Sequence, residues 1–125
     1  MTSRATIGAF AVAHVPTAVN QGFIVVEPRV ETDRWFLFHE MRRRVPQFIQ
    51  RANGSTFLEL SRGVFKGLSV CWPSAADRQD LHRKVAPLHE SAAELQSEIQ
   101  ELAKTRDELL PLLLSRRVRV GNILA

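Results

Sequence analysis

Arg42, Arg43 and Arg44 stand in one unbroken run, and three consecutive guanidinium groups form the sharpest basic feature of the chain. Guanidinium is permanently charged and suited to forked contacts with phosphate, so the run is either a phosphate contact or the ordinary positive charge of a helix end. The other chemistry-bearing residues are dispersed. His14, His39, His82 and His89 show no ligand pair at a spacing of three to five, so no metal site is expected. Cys71 is single, which excludes an internal disulfide, and its apolar neighbours place it in a core. No phosphate loop, dinucleotide fingerprint or nucleophile elbow occurs. Glu90, Glu94, Glu98 and Glu101 imitate paired catalytic carboxylates, but acids at such spacing on a helix face are solvating groups. No catalytic residue, metal or cofactor is expected in this chain.

The positive charge has an address. Up to position 75 there are nine Lys or Arg against five Asp or Glu, and beyond it eight against eight, so the whole net charge of +4 lies in the first part. A basic surface attracts phosphate backbones through counterion release, although a small excess also fits a plain soluble domain. All seven Phe and both Trp fall at or before position 72, which puts the globular core in the same part.

The elements that must position these groups follow from periodicity. Residues 5–14 and 18–27 alternate small and β-branched side chains around Pro16, which predicts two strands joined by a turn. Asp33 is placed to cap a helix carrying Trp35, Phe38 and Met41 or Arg42 on one face. Pro46 ends that helix and opens a second short one. Asn53-Gly54 marks a turn, residues 55–57 read as extended, a helical turn covers residues 62–66, and a strand is expected at 68–72.

After Trp72-Pro73 the pattern changes, with Ser74 and Asp77 in the form that caps a helix start. Leu81, Val85, Leu88, Ala92, Leu95, Ile99, Leu102, Arg106, Leu109 and Leu113 then recur in alternating steps of four and three. This is a heptad seam, and from 81 to 113 it makes a rod about 50 Å long. So narrow a stripe cannot bury itself alone and requires another helix. Pro87 predicts a kink, Pro111 a loosened last turn, and Arg106 in the seam must snorkel or meet a carboxylate. Alternation at 118–120 allows a short terminal strand. No stretch reaches the roughly 20 apolar residues that cross a bilayer, and a reducing cytoplasm is the expected setting.

Four segments resemble the specificity (S) subunits of type I restriction-modification systems. Thr2-Ser3-Arg4-Ala5-Thr6-Ile7-Gly8, followed by Asn20-Gln21-Gly22-Phe23, is similar to the middle of that family's target-recognition domain. Gly54-Ser55-Thr56-Phe57-Leu58-Glu59-Leu60-Ser61 is similar to its GST-F-x-E-[IL]-S stretch, with Trp72-Pro73 closing the next strand. Val85-Ala86-Pro87-Leu88 resembles the opening of its conserved helix. Leu102-Ala103, Arg106-Asp107 and Leu109-Leu110-Pro111-Leu112-Leu113-Leu114-Ser115 resemble that helix's end, where Arg116-Arg117 replaces the usual Gly-Glu.

The resemblance implies an α+β chain: a partial, β-rich DNA-recognition domain over 1–73, a coiled-coil helix over 74–115 kinked near Pro87, and a tail over 116–125. It implies a start within a recognition domain, since family members are several times longer. It also implies a non-catalytic DNA-recognition subunit that directs methyltransferase and restriction subunits to a target on double-stranded DNA, with S-adenosylmethionine, ATP and Mg²⁺ belonging to those partners. Phosphate contacts are expected from Arg4, Arg42, Arg43, Arg44, Arg62 and Lys66, and base-edge readout from Asn20, Gln21, Ser55 or Thr56. Each of the readout residues also suits a turn or an edge position. The seam would pair with an S-subunit helix or a second copy. The rival reading is an interaction fragment that docks to S or methyltransferase subunits without touching DNA.

Overall fold

The computed structural model describes residues 1–119. It contains a single 3-10 turn at Glu31–Asp33 and four helices: α1 (Arg34–Arg43), α2 (Val45–Arg51), α3 (Arg62–Lys66) and α4 (Ala75–Leu114). The chain divides into two compact units, Met1–Val85 and a second that begins at Ala86.

The expected α+β architecture with a β-rich head is wrong: among the described residues there is no strand and no sheet. Among the described residues, extended pairing exists as three isolated antiparallel bridges, Thr2 with Phe23, Arg4 with Glu59 and Asn53 with Glu59. Local turns stop each of them from propagating. The amides of Thr2 and Gly8 bond to the carbonyls of Ala9 and Thr2, and the Ala9 amide bonds to the Thr2 hydroxyl. Residues 2–9 thus curl back on themselves where a strand was expected. Ala5 and Gly8 take positive φ of 59° and 96°, which no strand tolerates. The Asn20 side chain accepts from the Gly22 amide at 2.9 Å and bends the chain just before the Phe23 bridge. The β-branched Val15, Val19, Val25 and Val26 are exposed, and residues 68–72 are also irregular. Alternation reports a local preference, but a strand exists only if a neighbour supplies its ladder.

The core of the first unit is small. Ile7, Ile24, Phe48 and Leu60 form its buried centre, with Met1, Phe10, Met41, Val45, Ala52, Val64, Phe65 and Leu68 packed around it. The bridges bring these residues together: the Ser3 amide bonds to Gly22, and the Leu60 amide bonds to Ser3. Edge-to-face rings extend the packing, Phe10 with Phe38, Trp35 with Phe38, and Phe48 with Phe65 at 5.6 Å. Cys71, expected in this core, is exposed, in an irregular segment that forms no strand.

The helix starts are chemically legible. Pro46 sits in the first turn of α2, where its missing amide costs nothing. The Ser61 hydroxyl accepts from the Val64 amide at the start of α3. The Ser74 hydroxyl accepts from the Asp77 amide and donates to the Asp77 carboxylate, closing a reciprocal cap on α4. Asp33 occupies the capping position of α1 but makes no capping bond. Its carboxylate instead receives the Arg78 guanidinium at 2.6 Å, with the two side chains only 9% and 15% exposed.

α4 is forty residues long and stays helical through Pro87 and Pro111. Each proline removes one amide and frees the carbonyl four residues before it, a loss that the remaining turns carry. After α4, Arg116 takes a positive φ of 57°, and its amide and that of Arg117 bond back to Leu113 and Leu112. Val118 and Arg119 are not in a strand. Val120, the third residue of the strand expected there, lies with the rest of 120–125 outside the described residues.

Candidate functional site

The three adjacent arginines are held in three different ways. Arg43 clasps Glu40 through two bonds, at 3.0 and 2.9 Å, and these bonds hold its guanidinium still more firmly in the charged form. Arg44 pairs with the same carboxylate at 3.2 Å and donates to the Ser69 carbonyl at 2.6 Å, so only 17% of its side chain is exposed. It fastens the end of α1 to the irregular segment before Trp72. Arg42 lies over the Phe38 ring at 5.6 Å. One carboxylate thus engages two of the three arginines while offsetting one of their charges, and Arg43 stays 73% exposed.

Arg4 belongs to a second group. It pairs with Glu59 at 2.7 Å across their bridge, and both side chains remain at least 40% exposed. Arg4 and Glu59 line an open surface depression together with Gly54, Ser55, Thr56 and Phe57. Gly54 has φ of +146°, and a Cβ there would collide with the Phe57 carbonyl oxygen, so the turn that presents Ser55 and Thr56 depends on glycine. Three expected contact residues, Arg4, Ser55 and Thr56, therefore share one surface. Asn20 and Gln21 are exposed on the other side of the N-terminal bridges, where Asn20 spends its carbonyl on the Gly22 turn.

Arg62 and Lys66 project from α3, exposed and without an ion pair to any described residue. Arg51, at the end of α2, is in the same state and was passed over in the sequence because it is a lone arginine in a neutral stretch. The Asp33–Arg78 pair was also missed, since the partners are 45 positions apart and no local pattern connects them. Arg78 further donates to the Pro73 carbonyl and lies over Trp72 at 4.8 Å, and Trp72 meets the edge of Phe36 at 5.2 Å. These contacts anchor the first turn of α4 to the start of α1.

Along α4 the heptad positions change character. Leu81 and Val85 are half-buried, whereas Leu88, Leu95, Ile99 and Leu102 are 69%, 56%, 61% and 61% exposed. Ala92, Leu109 and Leu113 are exposed too. Arg106 meets its own neighbour, Asp107, at 2.8 Å, with both side chains in solvent. The flanks carry local ion pairs, Arg83 and Lys84 with Asp80 and Lys104 with Glu108. Hydrogen bonds from Lys84 and Arg83 hold the Asp80 carboxyl below its usual range.

No group of three or more His, Cys, Asp or Glu side chains that could hold a metal exists among the described residues. No helix among them is long and apolar enough to cross a membrane.

No protein-family model and no solved structure matches the chain. Among curated proteins it is similar to the type I restriction enzyme MjaIX specificity subunit of Methanocaldococcus jannaschii, with 30% identity over 83 residues. That match takes in 65% of this chain and 19% of the relative, so the chain spans about a fifth of the relative's length.

Proposed function

We propose that this chain is a DNA-recognition component of a type I restriction-modification complex, built as a basic head that meets double-stranded DNA and a long helix that docks partner subunits. The similarity to a named specificity subunit supports the family. Docking rests chiefly on one observation: α4 carries an apolar seam whose members from Leu88 onward lie in solvent. A stripe of this kind is buried by a second helix in a coiled coil. The occupants are a specificity-subunit helix, a second copy, or helices of the methyltransferase subunit, which with the restriction subunit supplies the catalysis.

In the head, the surface around Arg4, Ser55 and Thr56 offers hydroxyls for base edges beside a cation for phosphate. Gln21 is exposed and uncommitted, whereas Asn20 must give up its turn to read a base. Arg42, Arg62 and Lys66 add phosphate contacts, while Arg43 and Arg44 would first have to release Glu40. The head is proposed to position and read, and to catalyse nothing.

A second reading keeps only docking, and the exposed seam favours it equally. Co-purification with the cognate methyltransferase subunit, followed by duplex titration at two salt concentrations, separates the two. Association with sequence-selective, salt-sensitive binding supports the recognition role. Association without DNA binding leaves the docking role, and no association refutes both.

A further inference from the structure

The depression lined by Arg4, Gly54, Ser55, Thr56, Phe57 and Glu59 includes one large apolar side chain. Of the seven phenylalanines in the chain, six are buried or half-buried and Phe57 alone is exposed, at 66%. Its position is fixed by the backbone around it. Asn53 and Glu59 exchange two amide-to-carbonyl bonds, at 3.0 and 2.8 Å, and close the loop over residues 54–58. The Ala5 amide bonds to the Leu58 carbonyl and the Leu60 amide to the Ser3 carbonyl. The loop is thereby tied to the N-terminal segment and, through buried Leu60, to the core. A ring held in water by a loop braced in this way forgoes the burial energy that the other six take up.

The groups around the ring differ in what they can distinguish. Ser55 and Thr56 carry hydroxyls, which both donate and accept and so suit any base edge. Arg4 and Glu59 pair one to one at 2.7 Å, and neither turns to a base edge without loosening the other. An aromatic ring that offers no hydroxyl or indole amine favours an apolar group. In the major groove the apolar group that a base pair presents is the C5-methyl of thymine, and contact with it is a form of direct readout. Any other base in that place would set an amino group or a carbonyl against the ring and leave it without a hydrogen bond.

We infer that Phe57 is a specificity-determining residue of the head, reading the C5-methyl of a thymine in duplex DNA while Ser55 and Thr56 hydrogen-bond the adjoining base edges. This rests on the DNA-recognition reading and adds to it a residue, Phe57, and a division of labour. The hydroxyls contribute binding that tolerates several bases, and the ring supplies the discrimination.

The test is a double-replacement cycle with the full chain. The tightest-binding duplex is selected from a randomised pool, and each of its thymines is changed singly to uracil, which removes the methyl and keeps every hydrogen-bonding group. Covering one methyl-sized group is worth about fourfold in affinity, so uracil at one position should weaken binding by the unaltered chain about fourfold. F57A should bind the thymine and uracil duplexes alike. F57L, still apolar but without the ring, should show a reduced penalty, so the comparison does not depend on F57A alone. L58A, whose side chain is 42% exposed but does not line the depression, should keep the full penalty. If no change to uracil weakens binding, or if the penalty persists undiminished in F57A and F57L, the role of Phe57 is overturned while the DNA reading stands. If the unaltered chain binds no duplex from the pool, both are overturned.

Discussion

Replacing Leu95, Ile99 and Leu102 together by alanine should weaken docking through α4 roughly a hundredfold without harming the helix. The three side chains retain 56%, 61% and 61% of their exposure in the single chain. Fully burying a Leu or Ile is worth about 1.5–3 kcal/mol. With roughly three-fifths of that surface still to be covered, each contributes about 1–2 kcal/mol, or about 3–5 kcal/mol for the three. Alanine keeps a methyl group, so the lower figure applies, and about 3 kcal/mol is a loss of roughly a hundredfold in affinity. Alanine is also the best helix former, so intrinsic helicity is maintained or improved. Calorimetry against the methyltransferase subunit measures the loss, and sedimentation equilibrium of the chain alone measures self-association. E94A/E101A, exposed and outside the seam, serves as the control. Partner affinity and self-association both unchanged by the triple replacement would refute the argument that exposed heptad positions mark the docking face.

Asp33→Ala strands the Arg78 guanidinium in a site where 15% of it reaches solvent, and denaturant unfolding should show a loss of about 3 kcal/mol. Asp33→Asn keeps an acceptor and should cost less. Phe48→Ala empties the centre of the small core and should cost about 3–5 kcal/mol by the same measurement. Gly54→Ala forces a Cβ onto the Phe57 carbonyl at a positive φ, and should destabilise the head by about 1–3 kcal/mol in thermal denaturation. Asp80 titrates lower in the folded chain than unfolded, because Lys84 and Arg83 bond to it. Its contribution is present above the unfolded carboxyl pKa of about 3.9 and disappears as pH falls through the folded value. Circular-dichroism melts at about pH 5 and about pH 3 should show an acid sensitivity that Asp80→Asn reduces.

The start of α4 was readable because its signal is local. Ser74 and Asp77 close their cap within one turn, and steps of four and three keep apolar residues on one stripe whatever lies elsewhere. Pro46 announced its helix for the same reason, since a first-turn proline acts within four residues. The head was misread where structure depends on distant partners. Residues 5–14 and 18–27 have strand composition, yet the Thr2 hydroxyl and the positive φ of Ala5 and Gly8 turn the first of them back on itself. Composition cannot reveal whether a ladder is available.

The charges divide along the same line. Sequence alone determined how many cations the head carries and that they outnumber its acids, since counting requires no fold. Only the tertiary structure decided which of them are spent. Glu40 reaches both Arg43 and Arg44, Glu59 reaches Arg4 across 55 positions, and Asp33 leaves its cap for Arg78 across 45. An ion pair forms wherever folding brings opposite charges within a few ångströms, and that distance is set by the folded path of the chain and not by the order of its residues.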